Sequence, residues 1–129
     1  MVSKRQYTFS KEERLSWKRH IDLLFERGQS FVAFPLRVIY LPLDEKKEIP
    51  VSILVSVSKK KFKRAVERNQ IKRRVREAYR TQKHDLTMPL TEKEKAMFVA
   101  FLYLDKEIHS FSTIEKAMKK AIKILYVKE

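Results

Sequence analysis

The stretch from Pro50 to Arg80, PVSILVSVSKKKFKRAVERNQIKRRVREAYR, decides how the rest of the chain is read. Its first eight residues, Pro50 to Val57, are apolar and β-branched, the composition of a well-buried strand. From Lys59 the sequence turns abruptly basic, and Lys59 to Lys83 takes on helical periodicity. Twelve Lys and Arg stand there against Glu67 and Glu77, so ten of the chain's fourteen excess positive charges occupy a fifth of its length. At ~100° per residue Ile71, Val75, Ala78 and Tyr79 fall together, while Asn69, Lys72, Arg73, Arg76 and Arg80 cluster opposite within roughly 100°. One side suits docking on a sheet, and the other suits a polyanion. Solvation alone is the plainer reading of a charge run, but acidic partners at helical spacing are nearly absent, and like charges at i,i+4 cost stability. Arginine's planar fork fits phosphate oxygens. Because an RNA duplex hides its base edges in a deep, narrow groove, such a surface would recognise shape and backbone.

Toward the amino terminus, Ser10 and Glu13 have capping-box spacing, which predicts a helix running to about Arg27 and stopping at Gly28, the only glycine, as a left-handed cap. Trp17, Ile21, Leu24 and Phe25 share one side of it. Phe31 to Leu43 reads as extended chain with a strand near Leu36 to Leu41. The charged turn Asp44 to Glu48 then predicts an antiparallel hairpin with Pro50 to Val57. Toward the carboxyl terminus, Thr81 to Lys95 reads as a polar connection containing Pro89, and Ala96 to Leu104 as a buried third strand. A second capping-box spacing, Ser112 and Glu115, opens a last helix with an apolar stripe of Ile114, Ala117, Met118, Ala121, Ile122, Leu125 and Tyr126. The predicted fold is α+β: a two-layer sandwich in α-β-β-α-β-α order, one domain over residues 1–129, with helices packed on a small sheet.

The chain has 129 residues, 30 Lys+Arg against 16 Asp+Glu, and 43% hydrophobic residues, so its charge belongs on a folded surface that calls for a polyanionic partner. The absence of cysteine removes disulfides, thiolate catalysis and Cys-based zinc sites, and is compatible with a reducing compartment. Met1 to Ser10 is polar, without a signal-peptide core, and no run approaches the roughly 20 apolar residues of a membrane span. A cytoplasmic location is the expectation. His20, His84 and His109 are isolated in sequence and read as surface residues. The carboxylates are scattered and no glycine-rich phosphate loop exists, so no catalytic or metal-binding set is assigned to the chain.

The runs Val57-Ser-Lys-Lys60, Ala65-Val-Glu-Arg-Asn69 and Ile71-Lys-Arg-Arg-Val-Arg-Glu-Ala-Tyr-Arg80 resemble the signature of the bacterial ribonuclease P protein family. The Arg14-Leu15 pair before them and the flanking order of elements extend the likeness to nearly the whole chain. Gln70 departs from the family's Arg-Asn-Arg triplet, though an amide still hydrogen-bonds phosphate or ribose. The resemblance implies RNA contacts on Lys59, Lys60, Arg68, Asn69, Gln70, Lys72, Arg73, Arg76 and Arg80. It also implies a cleft for the single-stranded 5′ leader of precursor tRNA, lined by Trp17, Ile21 and Phe25 and floored by Arg37 and Ile39. Ile21 stands where many relatives carry an aromatic, and a one-residue slip would turn both floor residues away. Further implications are a fold like the second domain of a small-subunit ribosomal protein and a left-handed crossover, where chain physics alone predicts the right-handed one. The implied role is that of protein subunit of the ribonuclease P holoenzyme. Its partners would be the ribonuclease P RNA and precursor tRNA, with no membrane and no protein partner. Cleavage would lie with the RNA and its magnesium, and no cofactor would be bound by the protein alone. Two rivals remain: a ribosome-associated or general RNA-binding protein, and a peripheral membrane protein using the helix Ser112 to Val127 with Lys116, Lys119, Lys120 and Lys123.

Overall fold

The most apolar stretch of the chain becomes the strand with neighbours on both sides. In the computed structural model, which describes residues 13–128, the strands are β1 (Gln29–Ala33), β2 (Leu36–Leu43), β3 (Val51–Ser56) and β4 (Ala96–Tyr103). They form one sheet in the order β1-β2-β4-β3, with β1·β2 and β2·β4 antiparallel and β3·β4 parallel. All but one residue of β4 is buried, as a central strand covered on both sides requires.

The hairpin expected between the segments at Leu36 and Pro50 does not form. β4 inserts between β2 and β3, and the true hairpin joins β2 to β1 through the two residues 34 and 35. β1 carries little local signal, because QSFVA is short, polar at its start and mostly exposed at an edge.

Among the described residues the helices are α1 (Lys18–Arg27), α2 (Ala65–Gln82), α3 (His84–Glu92) and α4 (Phe111–Lys128). The order is thus α-β-β-β-α-α-β-α. The main core lies between the sheet and α2, α3 and α4, and joins Val38, Tyr40, Ile53, Val99 and Phe101 to Ile71, Val75, Tyr79, Leu86, Leu90, Met118 and Leu125. A smaller cluster of Leu15, Leu24, Phe98 and Ala100 lies on the reverse side beneath α1, which adds a third, partial layer to the expected two.

Several local expectations are corrected. Residues 14–17 are not helical: Arg14 bridges Ile53, and the Leu15 N–H donates to the Ile53 carbonyl at 2.7 Å. Ser10 lies outside the described residues, while Glu13 is no cap. Its carboxylate accepts two hydrogen bonds from Lys83 Nζ at 2.8 and 2.9 Å, in a buried ion pair linking positions 70 residues apart. Gly28 is extended rather than left-handed, at φ −71°. What requires glycine is proximity, since an added Cβ would lie 2.4 Å from the Leu24 carbonyl oxygen and 3.0 Å from that of Tyr40.

The left-handed position is instead Glu94, at φ 57°. There Glu94 and Lys95 N–H groups donate to Thr91 and Leu90 carbonyls at 3.1 and 2.9 Å, the paired closure of a Schellman motif. That motif ends α3, which replaces the expected polar connection and carries Pro89 within it. Leu86 and Leu90, one turn apart and fully buried, explain why the segment is helical. For α4 the cap is Ser110, whose Oγ accepts from the Thr113 N–H at 3.3 Å, two residues earlier than predicted.

Candidate nucleic-acid interface

The apolar stripe of α2 is buried in full: Ile71, Val75, Ala78 and Tyr79 have no exposed surface. Seating that stripe turns the opposite side outward. There Asn69, Gln70 and Arg73 are exposed, and Lys72, Arg76 and Arg80 are half-exposed. Lys59 and Lys60 are exposed in the turn that leads from β3 toward α2, where Ser58 Oγ accepts from the Lys60 N–H at 3.1 Å.

The basic side chains divide into two kinds of work. Arg68 turns back, donating through Nη1 to the carbonyls of Phe62 and Lys63 at 2.7 and 2.9 Å, and so braces the approach to the helix. Arg74 donates to the His109 carbonyl at 2.6 Å and ties α2 to the loop before α4. Arg80 pairs with Glu77 at 2.6 Å, which holds the Glu77 carboxyl below its ordinary range. Asn69, Arg73 and Arg76 instead line an open concavity of about 430 Å³ with Arg14 and Glu77. Partial burial, and secondarily the Arg14 charge, lower the proton affinity of the Arg76 guanidinium.

The reverse side of the sheet is different in character. Its register places Ser30, Ile39, Ala100 and Leu54 in one cross-strand row and Val32, Arg37, Leu102 and Ser56 in the next. Arg37 and Ile39 therefore point to the side that α1 occupies. Arg37 is exposed, its Nη2 donating to Ser30 Oγ at 3.3 Å, and Ile39 is half-buried against the small cluster. α1 anchors itself through Leu24, with Ile21 partly buried, and leaves Trp17 67% and Phe25 47% exposed. The four-residue apolar side predicted for α1 is therefore split between anchor and display. His20, isolated in sequence, has ring neighbours in space: it stacks on Trp17 with centroids 5.2 Å apart and meets Phe98 at a tilt, 4.8 Å away. His109 Nε2 lies 2.5 Å from Asp105 Oδ2, and this hydrogen bond is the main cause of the lowered Asp105 pKa.

The residues inferred for RNA contact and for the leader thus occupy two separate surfaces, the outward side of α2 and the reverse side of the sheet. Arg14 and Arg74 were absent from those sets. The Arg14-Leu15 pair was visible as a motif, but only the pairing with β3 brings Arg14 to α2. Among the described residues there is no cluster of three or more His, Cys, Asp or Glu able to hold a metal, and no helix is long and apolar enough to cross a membrane.

A strongly basic α+β domain with a guanidinium-rich helix on one side and exposed aromatic rings on the other defines a nucleic-acid-binding protein. The family model for ribonuclease P matches residues 9–126. The ribonuclease P protein component of Porphyromonas gingivalis is 43% identical over 122 residues, covering 95% of this chain and 89% of that one. That of Chlorobaculum tepidum is 36% identical over 110 residues, covering 80% and 71%. Among solved structures, the RNase P protein of Thermotoga maritima superimposes with a TM-score of 0.68 at 23% identity, over 87% of this chain and 96% of that one. The Staphylococcus aureus RNase P protein gives 0.66 at 21%, over 91% and 98%. The chain belongs to the ribonuclease P protein family.

Proposed function

We propose that the chain is the protein subunit of ribonuclease P and acts in 5′ maturation of tRNA by bringing the ribonuclease P RNA and precursor tRNA together. The observation that carries this reading is the outward side of α2, where Asn69, Lys72, Arg73 and Arg76 face solvent from a helix whose inner side is sealed. Docking there releases counterions from the RNA backbone, so affinity falls steeply with salt. Trp17 and Phe25, exposed on the side of the sheet that also carries Arg37 and Leu102, offer a stacking platform for an unpaired leader. The cleaving groups belong to the RNA, with magnesium held there supplying the activated water. The protein's contribution is to weaken repulsion between two polyanions, in the cytoplasm where tRNA is made. Membership in the ribonuclease P family disfavours a general RNA-binding role without cleavage.

Reconstitution tests the reading. Adding the purified chain to the ribonuclease P RNA of a relative should permit precursor-tRNA cleavage at magnesium concentrations too low for that RNA alone. No such gain with RNAs from several relatives would overturn it.

A further inference from the structure

Residues 58–64 lead from β3 into α2 and carry a dense run of charge. Lys59, Lys60, Lys61, Lys63 and Arg64 are exposed, and among the described residues none of them pairs with a carboxylate. Like charges this close repel and tend to extend a connecting segment. The loop is nevertheless folded back on itself. Ser58 accepts twice, its carbonyl from the Phe62 N–H and its Oγ from the Lys60 N–H, each at 3.1 Å. Phe62, set among the cations, is buried and meets the Tyr103 ring edge-on with centroids 5.9 Å apart. Lys61 Nζ donates to the Leu104 carbonyl. Arg68 completes the closure from α2. Helical side chains lean toward the helix N-terminus, and from the first turn its Nη1 reaches the Phe62 and Lys63 carbonyls at 2.7 and 2.9 Å. Because Nη1 serves both carbonyls, the terminal Nη1–Nη2 fork that would grip a phosphate end-on is not whole.

We propose that Arg68 is a positioning residue: it holds the loop 58–64 in a fixed shape, and its contribution to RNA binding runs through Lys59 and Lys60 rather than through a phosphate of its own. The proposal rests on the RNA-binding reading given above. It departs from the direct RNA contact that the family resemblance implies for Arg68, and it makes the loop and α2 one preorganised unit, so that the ordering of several lysines is complete before RNA arrives.

The test uses the full chain, with amide hydrogen exchange on the free protein and binding to the ribonuclease P RNA of a relative. Arg68→Ala should speed exchange of the Lys60 and Phe62 amides by about tenfold, while those of Ile71 and Val75 in α2 keep their rates. It should also weaken RNA binding several-fold. In a chain that already carries Lys59→Ala and Lys60→Ala, the same change should cost little further affinity, since the groups it positions are gone. Combined with Arg73→Ala, its effect should multiply in full. Should Arg68→Ala melt below the assay temperature, Arg68→Lys, which keeps a donor but not the planar pair, serves the same comparison. Unchanged loop exchange would overturn the proposal, and so would a full effect of Arg68→Ala without the two lysines, which would make Arg68 an RNA contact in its own right. Loss of neither affinity nor salt slope from Arg73→Ala plus Arg76→Ala would instead sink the α2 reading, a result the exchange measurement cannot mimic.

Discussion

The two sides of the sheet are covered to very different degrees. Under α2, α3 and α4 the side chains of Val38, Val99, Phe101 and Met118 are entirely buried, and the charge is carried on the outer surface of the helices. On the reverse side a single ten-residue helix spans part of the sheet, and Val32, Arg37, Leu102 and Trp17 keep contact with water. The contrast teaches that one side is built for stability and for presenting cations to a folded polyanion. The other is left unfinished, with apolar surface that a splayed base could cover.

The largest expected effect tests the sealed side. Phe101→Ala removes a fully buried ring and should destabilise the domain by about 3–5 kcal/mol in chemical denaturation. A loss below about 1 kcal/mol would erase the contrast in packing. Next, Arg73→Ala with Arg76→Ala should lower the salt slope of RNA binding by about two while the melting temperature stays near wild type. A large fall in stability would mean that these arginines serve the fold instead. Trp17→Ala sharpens the other half of the comparison: stability should change by less than about 0.5 kcal/mol, because the ring is mostly exposed. Binding of single-stranded leader should weaken by about 1 kcal/mol, measured by competition with a leaderless tRNA. Equal weakening for both competitors would remove stacking from the account.

The smallest effect concerns the tether between α2 and the loop before α4, where the His109 carbonyl accepts from Arg74 and the His109 ring meets Asp105. The Asp105 pKa is lowered on folding, chiefly by that hydrogen bond, so its contribution is present above the ordinary aspartate range near 3.8 and is lost as pH falls through the lowered value. Thermal melts of wild type and Asp105→Asn should therefore differ near neutrality and converge in acid. Curves separated equally at all pH values would contradict this.

Much of this could be read from residues alone, and the misses share a cause. The α2 stripe, β4 and the apolar seam of α4 follow from local periodicity, which burial then enforces. The position of β4 between β2 and β3 follows from nothing local, because a short connection suits a hairpin as well as a strand that leaves room for a third. A lone glycine at a helix end suggests a left-handed cap, yet Gly28 answers the close approach of the Leu24 carbonyl and of β2, while Glu94 accepts the left-handed turn because two backbone hydrogen bonds close there. α3 was hidden by Pro89, a residue that local rules exclude from helix interiors. The same division runs through the candidate site. The outward residues of α2 could be picked out by angle, whereas Arg14 and Arg74 depend on partners 39 and 35 positions distant.

The central place of β4 also sets when the molecule can form. It is the last strand to leave the ribosome, yet it pairs on one edge with β2 and on the other with β3. Until Tyr103 has emerged, β2 and β3 lack the strand that joins them, and the apolar stripe of α2 lacks the complete sheet it packs on. Folding must then wait for non-local pairing, which is slow. During that interval AMFVAFLY is an uncharged, strand-forming octapeptide exposed to neighbours, the segment at which aggregation of newly made chains would begin.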